Sequence, residues 1–474
     1  MSGSKTTLHL VGLGCPRNDV DAEELAGRLE QAGFEVVDRP DQAQVVLVNT
    51  CGFIEAAKQD SIDQLLAAAD LKRDGVAQAV IATGCLAERY GRELALALPE
   101  ADAVVGFDGY QSIAGTIRSV LAGQPHLSHQ PQDRRRLLPV TPLDRPAQRR
   151  AATRPNSTAP GPDGGPPTPR RRLGQGPSAP LKIASGCDRR CAFCAIPSFR
   201  GAYSSRPSDE IVAEAGWLVG HGVRELYCVS ENTTSYGKDL GRRDALEDLL
   251  GQLAQVDPGA WVRLSYLQPA ELRPSLIDRV AALPQVVDYF DLPFQHASRA
   301  LLRRMRRFGD GESFLGLIDR IRQVAPAAGL RSNFIVGFPG ETPAQVQELI
   351  DFLAAAELDA IGVFGYSEEE GTAAAELSGR LDQAEITARV EEVADLAEVV
   401  MAERAQDRVG QTVEVMVEAW QDGRWQGRCR HQGPEADGET WLRAAAGALR
   451  PGQLVLGQVV RADGVDLLVE PAAA

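Results

Sequence analysis

The sequence predicts an α/β multidomain protein with an N-terminal α/β domain, a central partial TIM-like (βα)6 barrel and a small C-terminal β-barrel. Three observations carry that reading. Strand-like apolar runs alternate with amphipathic stretches over residues 5–122 and again over 181–375, the rhythm of parallel sheets covered by helices. After Gly410 the rhythm gives way to short strands with no helices between them. The length of 474 residues also exceeds what one hydrophobic core usually serves.

The first domain, 5–122, opens with a strand over Leu8–Leu13 that ends at Cys15, followed by a helix over Asp21–Ala32 closed by Gly33. A second strand, Val45–Thr50, ends at Cys51 and leads into a helix over Ile54–Ala69. A third, Val80–Thr83, ends at Gly84-Cys85. Ligands of parallel sheets bind beyond the carboxyl ends of the strands, where all three cysteines fall.

Residues 123–180 read as a disordered interdomain linker. Between 131 and 180 stand 12 prolines, 10 arginines, 3 aspartates and no glutamate, too little apolar surface to offset ordering entropy. A flexible spacer is the plain reading, and its arginines are a candidate contact to ribosomal RNA or another polyanion.

The barrel domain, 181–408, has strands over 181–184, 225–229, 261–265, 289–292, 330–336 and 360–364. Helices are expected over 208–220, 243–255, 273–282, 312–326 and 343–356, then one long charged helix over 381–408. The last domain, 409–471, has strands over 412–418, 425–430, 454–460 and 467–470. Trp420, Trp425 and Trp441 are expected mainly as its core.

Charge limits the partners. The 50 Lys and Arg against 65 Asp and Glu leave −15, which argues against a surface that binds nucleic acid throughout and favours a basic partner. No stretch approaches the roughly 18 apolar residues of a membrane helix, and the first residues have no leader pattern, so a cytoplasmic protein with no membrane partner is expected. Eight cysteines are too few for a disulfide scaffold of this size.

Three of them, Cys187, Cys191 and Cys194, fall within eight residues as C-x3-C-x2-C just after a strand. Structural zinc usually takes four ligands in paired C-x2-C units, whereas three thiolates on a cube of four irons leave one iron open to a small molecule. Cys15, Cys51 and Cys85 are distant in sequence but equivalent in position, and neighbouring parallel strands about 4.8 Å apart can bring their ends around one centre. Position alone therefore suggests a second iron-sulfur cluster. Cys228 reads as a small buried hydrophobe, and Cys429, near His431, as structural.

C-x3-C-x-aromatic-C, with Phe193 as the aromatic, resembles the signature of radical S-adenosylmethionine enzymes. Gly14-Cys15-Pro16-Arg17-Asn18, Asn49 to Ile54 and Gly84 to Tyr90 extend the likeness to the methylthiotransferase family, whose domains follow the order read above and end in a TRAM-like β domain. The resemblance implies two 4Fe-4S clusters, one on Cys15, Cys51 and Cys85 and one on Cys187, Cys191 and Cys194. It further implies two molecules of S-adenosylmethionine, one giving a methyl group to a cluster-associated sulfur and one giving the radical that opens a substrate C–H bond. Phe193, Glu231, Asn232, Asn333 and Gly337 correspond to the family's cofactor contacts; no catalytic residue beyond the two clusters is identified. Ser185 stands where many relatives have an acidic residue, and Glu231 where glutamine is common.

Ala195-Ile196-Pro197-Ser198-Phe199-Arg200-Gly201, Asp291 to Ser298 and Tyr366 to Thr372 are similar to the branch acting on a ribosomal protein. That branch inserts a methylthio group at the β-carbon of one aspartate of ribosomal protein S-twelve, in the context of the small ribosomal subunit, with an electron donor and a sulfur donor as further partners. The last domain agrees in charge, since residues 409–474 hold six arginines, no lysine and nine acidic residues. Two alternatives stand beside it: a methylthiotransferase of the same family acting on a transfer RNA adenosine, and, from another class, a noncatalytic zinc-binding interaction protein.

Overall fold

The computed structural model describes residues 5–134, 170–434 and 437–472. It divides into two compact units, one of Met1–Leu173, Lys182–Arg189 and Cys194–Glu214, the other of Gly174–Leu181, Arg190–Phe193 and Ala215–Ala474.

The first unit is built on a parallel sheet of β1 (Thr7–Gly12), β2 (Glu35–Val36), β3 (Val45–Thr50), β4 (Ala79–Thr83) and β5 (Ala103–Val104), in the order β2-β1-β3-β4-β5. Leu10, Leu47 and Ile81 sit side by side across β1, β3 and β4. Successive residues of a strand point to opposite faces. Accordingly Leu8, Leu10, Leu47 and Ile81 pack with Leu25 and Leu29 on one side, while Val46, Val48, Val80 and Ala82 pack with Leu65 and Leu86 on the other. The two edge strands were not expected. Each is only two residues long, too short to register as a periodic pattern.

Helices α1 (Pro16–Gln31), α2 (Glu55–Arg73) and α3 (Gly84–Ala97) follow β1, β3 and β4, and α4 (Ile113–Leu121) closes the domain. Helix α1 starts five residues earlier than expected, because Pro16 suits the first helical position and Cys15 serves as its N-cap residue. Gly84, at φ 90°, turns β4 directly into α3, so Cys85 lies in the first helical turn rather than in a loop.

The linker expectation needs correction at its flanks; residues 135–169 lie outside the described residues. Arg134 pairs with buried Glu88. Arg170 meets Glu23 at 2.7 Å and Glu214 at 2.5 Å. Buried carboxylates hold these arginines where composition alone suggested free chain, and β6 (Ser178–Lys182) already begins inside the expected linker.

Within the second unit β9 (Glu225–Val229) lies between β6 and β10 (Trp261–Leu264), and β12 (Gly329–Val336) between β11 (Tyr289–Asp291) and β13 (Ala360–Gly365). β9 pairs parallel with β10, and β12 with β11 and β13; a bridge from Val262 to Val286 links the two triplets, making six barrel strands in sequence order. A two-residue pair in the first unit, β7 (Ala184–Ser185) with β8 (Ser204–Ser205), splits the first expected strand. The first unit also holds α5 (Ile196–Arg200), whose Phe199 joins its core, and the start of α6 (Ser208–Gly220); the helices of the second unit are α7 (Ala245–Leu253), α8 (Pro274–Ala282), α9 (Arg299–Arg304), α10 (Gly311–Val324) and α11 (Pro343–Ala356). Asp310 and Thr342 form capping boxes at the starts of α10 and α11. The long helix α12 spans Gln383–Gln406.

The C-terminal strands β14 (Thr412–Gln421), β15 (Arg424–Cys429), β16 (Thr440–Leu442), β17 (Leu454–Asp463) and β18 (Asp466–Pro471) close into a barrel. Three-residue β16 was not expected. Trp425 and Cys429 are core, as expected, but Trp420 is 41% exposed and packs edge-on against Trp425. This domain seals the foot of the larger barrel: Met416 packs on Trp261, Val287 and Tyr289, and Glu225 binds both Arg263 and Arg428, at 2.6 Å each. Cys228 is fully buried.

Candidate active site with two cysteine triads

In the first unit the three strand-end cysteines share one pocket of polar contacts. Cys15 caps α1, Cys51 follows β3 and Cys85 opens α3. Asn18 ties these ends together, its side chain donating to the carbonyls of Leu13, Asn49 and Thr50 at 2.6–3.3 Å. Glycines allow the close approach: a Cβ on Gly14 would stand 2.9 Å from the Cys51 sulfur, and one on Gly52 would stand 2.7 Å from the Leu86 nitrogen.

The thiols differ in setting. Cys51 and Cys85 are buried, and Cys15 is partly exposed. Burial pushes the Cys85 thiol up to about 12, with Arg200 opposing and Cys15 and Cys51 adding to the rise. Burial raises Cys51 as well. Cationic donors stand beside the sulfurs: Arg17 is 3.4 Å from Cys15, and Arg200 is 3.1 Å from Cys85. Two helix starts add partial positive charge at Cys15 and Cys85. The surroundings therefore disfavour an isolated thiolate by burial but supply the positive charge that a bound anionic centre needs.

Arg200 belongs to a buried ionic group. Its second arm reaches Asp21 at 2.7 Å, and Lys182 meets the same carboxylate at 2.8 Å. Burial alone would raise the Asp21 pKa, but Lys182 and Arg200 outweigh it and hold it below the ordinary value.

The second triad is local. Cys187 follows β7, and its sulfur accepts from the Arg189 amide at 3.4 Å. Gly186, at φ 79°, lets the chain pass close to Ala202, and the Cys187 amide donates to the Gly201 carbonyl at 3.0 Å. In the second unit the Cys191 sulfur lies 3.7 Å from Arg307, and the next amide, Ala192, donates to Met305 at 2.9 Å. Phe193 is half-buried.

Of the expected cofactor contacts, Glu231 and Asn232 follow β9, Gly337 follows β12 and Asn333 lies within β12. Glu231 is buried just past β9. The Asn232 amide is engaged within its loop, donating to Ser235 at 2.8 Å and Glu271 at 3.2 Å. Asn333 pairs in register with Gly362 on β13. Gly337, at φ 78°, donates its amide to Glu341 at 2.7 Å, and Glu341 is held by Arg389 and His296. Arg17, Asn18, Asp21, Lys182, Arg200 and Arg307 were not singled out by sequence reasoning. Arg200 has a local trace, as a lone cation within the apolar segment Ala195–Gly201, but its partner Cys85 lies 115 residues away.

Among the described residues no three His, Cys, Asp or Glu side chains are gathered as a single metal ion requires. The N-terminal triad instead offers three sulfurs, a donor set suited to a four-iron cluster with one iron left open. The N-terminal triad fits such a group well, since its sulfurs also have arginines beside them.

Family models match the same three regions: Uncharacterized protein family UPF0004 over residues 7–106, the Radical SAM superfamily over 181–353 and the TRAM domain over 409–471. The fold resembles that of the radical S-adenosylmethionine methyltransferase TsrM from Kitasatospora setae, with a TM-score of 0.52 at 15% identity, covering 76% of this chain and 75% of that one. The ribosomal protein uS12 methylthiotransferase RimO of Cutibacterium acnes is 60% identical, covering 99% of this chain and 98% of the relative. The protein of the same name from a Nocardioides species is 56% identical, with 98% and 96% covered. Likeness at that level over whole chains extends through every element that carries a cysteine triad, and the chain belongs to the ribosomal protein uS12 methylthiotransferase family of radical S-adenosylmethionine enzymes.

Proposed function

We propose that the chain inserts a methylthio group at the β-carbon of one aspartate of ribosomal protein uS12, with Cys187, Cys191 and Cys194 holding one 4Fe-4S cluster and Cys15, Cys51 and Cys85 holding another. The observation that carries this is the N-terminal triad: three distant cysteines set at equivalent strand ends, with arginine donors 3.1 and 3.4 Å from two of the sulfurs. When bound, the clusters and two molecules of S-adenosylmethionine supply the radical, the sulfur and the methyl group.

The chain's own residues hold, orient and exclude. Burial around Cys51 and Cys85 keeps water from the sulfurs, while partly exposed Cys15 marks the open side. Glu231, Asn232, Asn333 and Gly337, with Phe193 beside the triad, are the proposed cofactor contacts. The Glu341 carboxylate fixes the Gly337 turn by accepting a hydrogen bond from its amide, and Arg389 fixes Glu341 in turn at 2.8 Å.

A basic protein substrate suits the C-terminal domain. Arg428, Arg443 and Arg461 each face a carboxylate. Arg430 donates to the Val286 carbonyl, and Arg424 lies over Trp441. Arginines so occupied make a poor track for a phosphate backbone, which weighs against transfer RNA. No helix among the described residues is long and apolar enough to cross a membrane, in keeping with work on ribosomes in the cytoplasm.

The test is to reconstitute the protein without oxygen, supply S-adenosylmethionine, a reductant and sulfide, and offer uS12, small ribosomal subunits or transfer RNA. A mass gain of one methylthio group on a uS12 aspartate supports the proposal. Modified transfer RNA beside unchanged uS12 overturns it. Roughly eight irons in the reconstituted chain are expected for two four-iron clusters.

A further inference from the structure

We propose that Arg200 is a positioning residue of the N-terminal sulfur site: fixed by Asp21, its guanidinium donates to the Cys85 sulfur and raises the reduction potential of the cluster bound there. This rests on the assignment of Cys15, Cys51 and Cys85 as cluster ligands.

The geometry separates this role from that of an ordinary internal ion pair. Arginine and carboxylate commonly pair through two parallel hydrogen bonds. Arg200 gives Asp21 one arm, at 2.7 Å. The other reaches the Cys85 sulfur at 3.1 Å and Asn18 Oδ1 at 3.4 Å. Lys182 already meets Asp21 at 2.8 Å, so the carboxylate has a second cation of its own. The guanidinium plane is fixed by the Phe107 ring, whose centroid lies 4.7 Å away.

Placement gives the contact its strength. The Arg200 side chain is 3% exposed, and solvent and salt screen it little. A positive charge and a hydrogen bond at a ligand sulfur favour the more negative, reduced form of an iron-sulfur cluster, so they raise its potential. Arginine is suited to this because its rigid fork serves two acceptors at once, whereas lysine offers one flexible point charge. Arg200 follows Cys194 by six residues, so the segment that carries the radical-site cysteines also contributes to the environment of the N-terminal sulfurs.

The test uses the full chain with Cys187, Cys191 and Cys194 changed to alanine, so that only the N-terminal cluster remains. Its one-electron reduction is titrated with titanium(III) citrate and followed by electron paramagnetic resonance, beside added R200Q and R200K. With R200Q the ratio of reduced to oxidised cluster at a fixed potential should fall about tenfold, a midpoint about 59 mV lower. R200K, which keeps charge but not the fork, should fall between it and the parent. Iron retained in R200Q at an unshifted midpoint overturns the proposal and leaves the ligand assignment standing. A parent with Arg200 intact that binds no iron refutes the assignment and the proposal with it. If R200Q releases its iron, the decision passes to R200K, whose unshifted midpoint overturns the role.

Discussion

The two cysteine triads proposed to hold clusters stand at opposite extremes of sequence distance. Cys187, Cys191 and Cys194 lie within eight residues, so any loop of the right shape presents them together. Cys15, Cys51 and Cys85 span 70 residues and meet only after three parallel strands have paired in register. The local triad is therefore encoded by spacing, the dispersed one by a fold. It follows that damage to the sheet of the first unit should cost the dispersed site its iron while sparing ligand capacity that depends on spacing alone.

The largest expected effect is the separation of the two sites. Changing Cys15, Cys51 and Cys85 to alanine should abolish methylthio transfer, leave roughly four of eight irons and retain reductive cleavage of S-adenosylmethionine, read as release of 5′-deoxyadenosine. The complementary triple variant at 187, 191 and 194 should also keep roughly four irons but lose that cleavage. Equal loss of cleavage in both would break the division of labour. Next in size is Asp21→Asn, which leaves Lys182 and Arg200 buried around a neutral amide. A loss of about 3–5 kcal/mol in urea-induced unfolding is expected, since removing one partner of a buried pair strands the other. Gly84→Ala follows at about 1–3 kcal/mol, because an L side chain is strained at φ 90° and its Cβ would press on the backbone of Thr50. Both should deplete the dispersed site first, measured as iron per chain.

The same contrast explains what was legible in the sequence. Strands such as Val45–Thr50 and Ala360–Gly365 were close to their observed bounds, because buried parallel strands are continuous apolar runs. The proposed ligand cysteines stand out in the sequence in two ways, by spacing at 187–194 and by equivalent strand ends at 15, 51 and 85. Two-residue β2 and β5 left no periodic trace. The buried arginines were hidden for a different reason. Arg134 and Arg170 sit in sequence that is rich in proline and arginine, and carboxylates distant in the chain, Glu88 and Asp108 for the one and Glu23 and Glu214 for the other, bring them inside. Arg200 shows in the sequence only as part of a motif, because its meaning depends on Cys85 and Asp21.

Acid sharpens the comparison of the units, since each contains a carboxylate surrounded by arginines. In the first, burial alone would raise Glu214, but Arg206 and Arg170 outweigh it and bring the pKa to about 2. In the second, Arg428 and Arg263 outweigh burial and bring Glu225 to about 2. A folded pKa below the unfolded value near 4.5 contributes stability above pH 4.5, and that contribution is lost as pH falls toward 2. Each group should account for a loss on the order of 3 kcal/mol across that window. Denaturant titrations at stepped pH should show flat stability above about pH 5 and a decline below it. Glu225→Gln should reduce the pH slope attributable to the second unit, at the cost of lower stability near neutrality.

The smallest expected effect concerns the cation beside the local triad. Arg307 stands 3.7 Å from the Cys191 sulfur, against 3.1 Å for Arg200 at Cys85, and its other arm is engaged by the Pro293 carbonyl. A contact that long is a weak hydrogen bond. With the dispersed cysteines changed to alanine, Arg307→Lys should therefore leave roughly four irons in place and change the rate of 5′-deoxyadenosine release by about threefold or less. A larger loss, rescued by arginine alone, would mean that the two triads depend on their cations equally. Spacing would then be as insufficient for the local site as it is for the dispersed one.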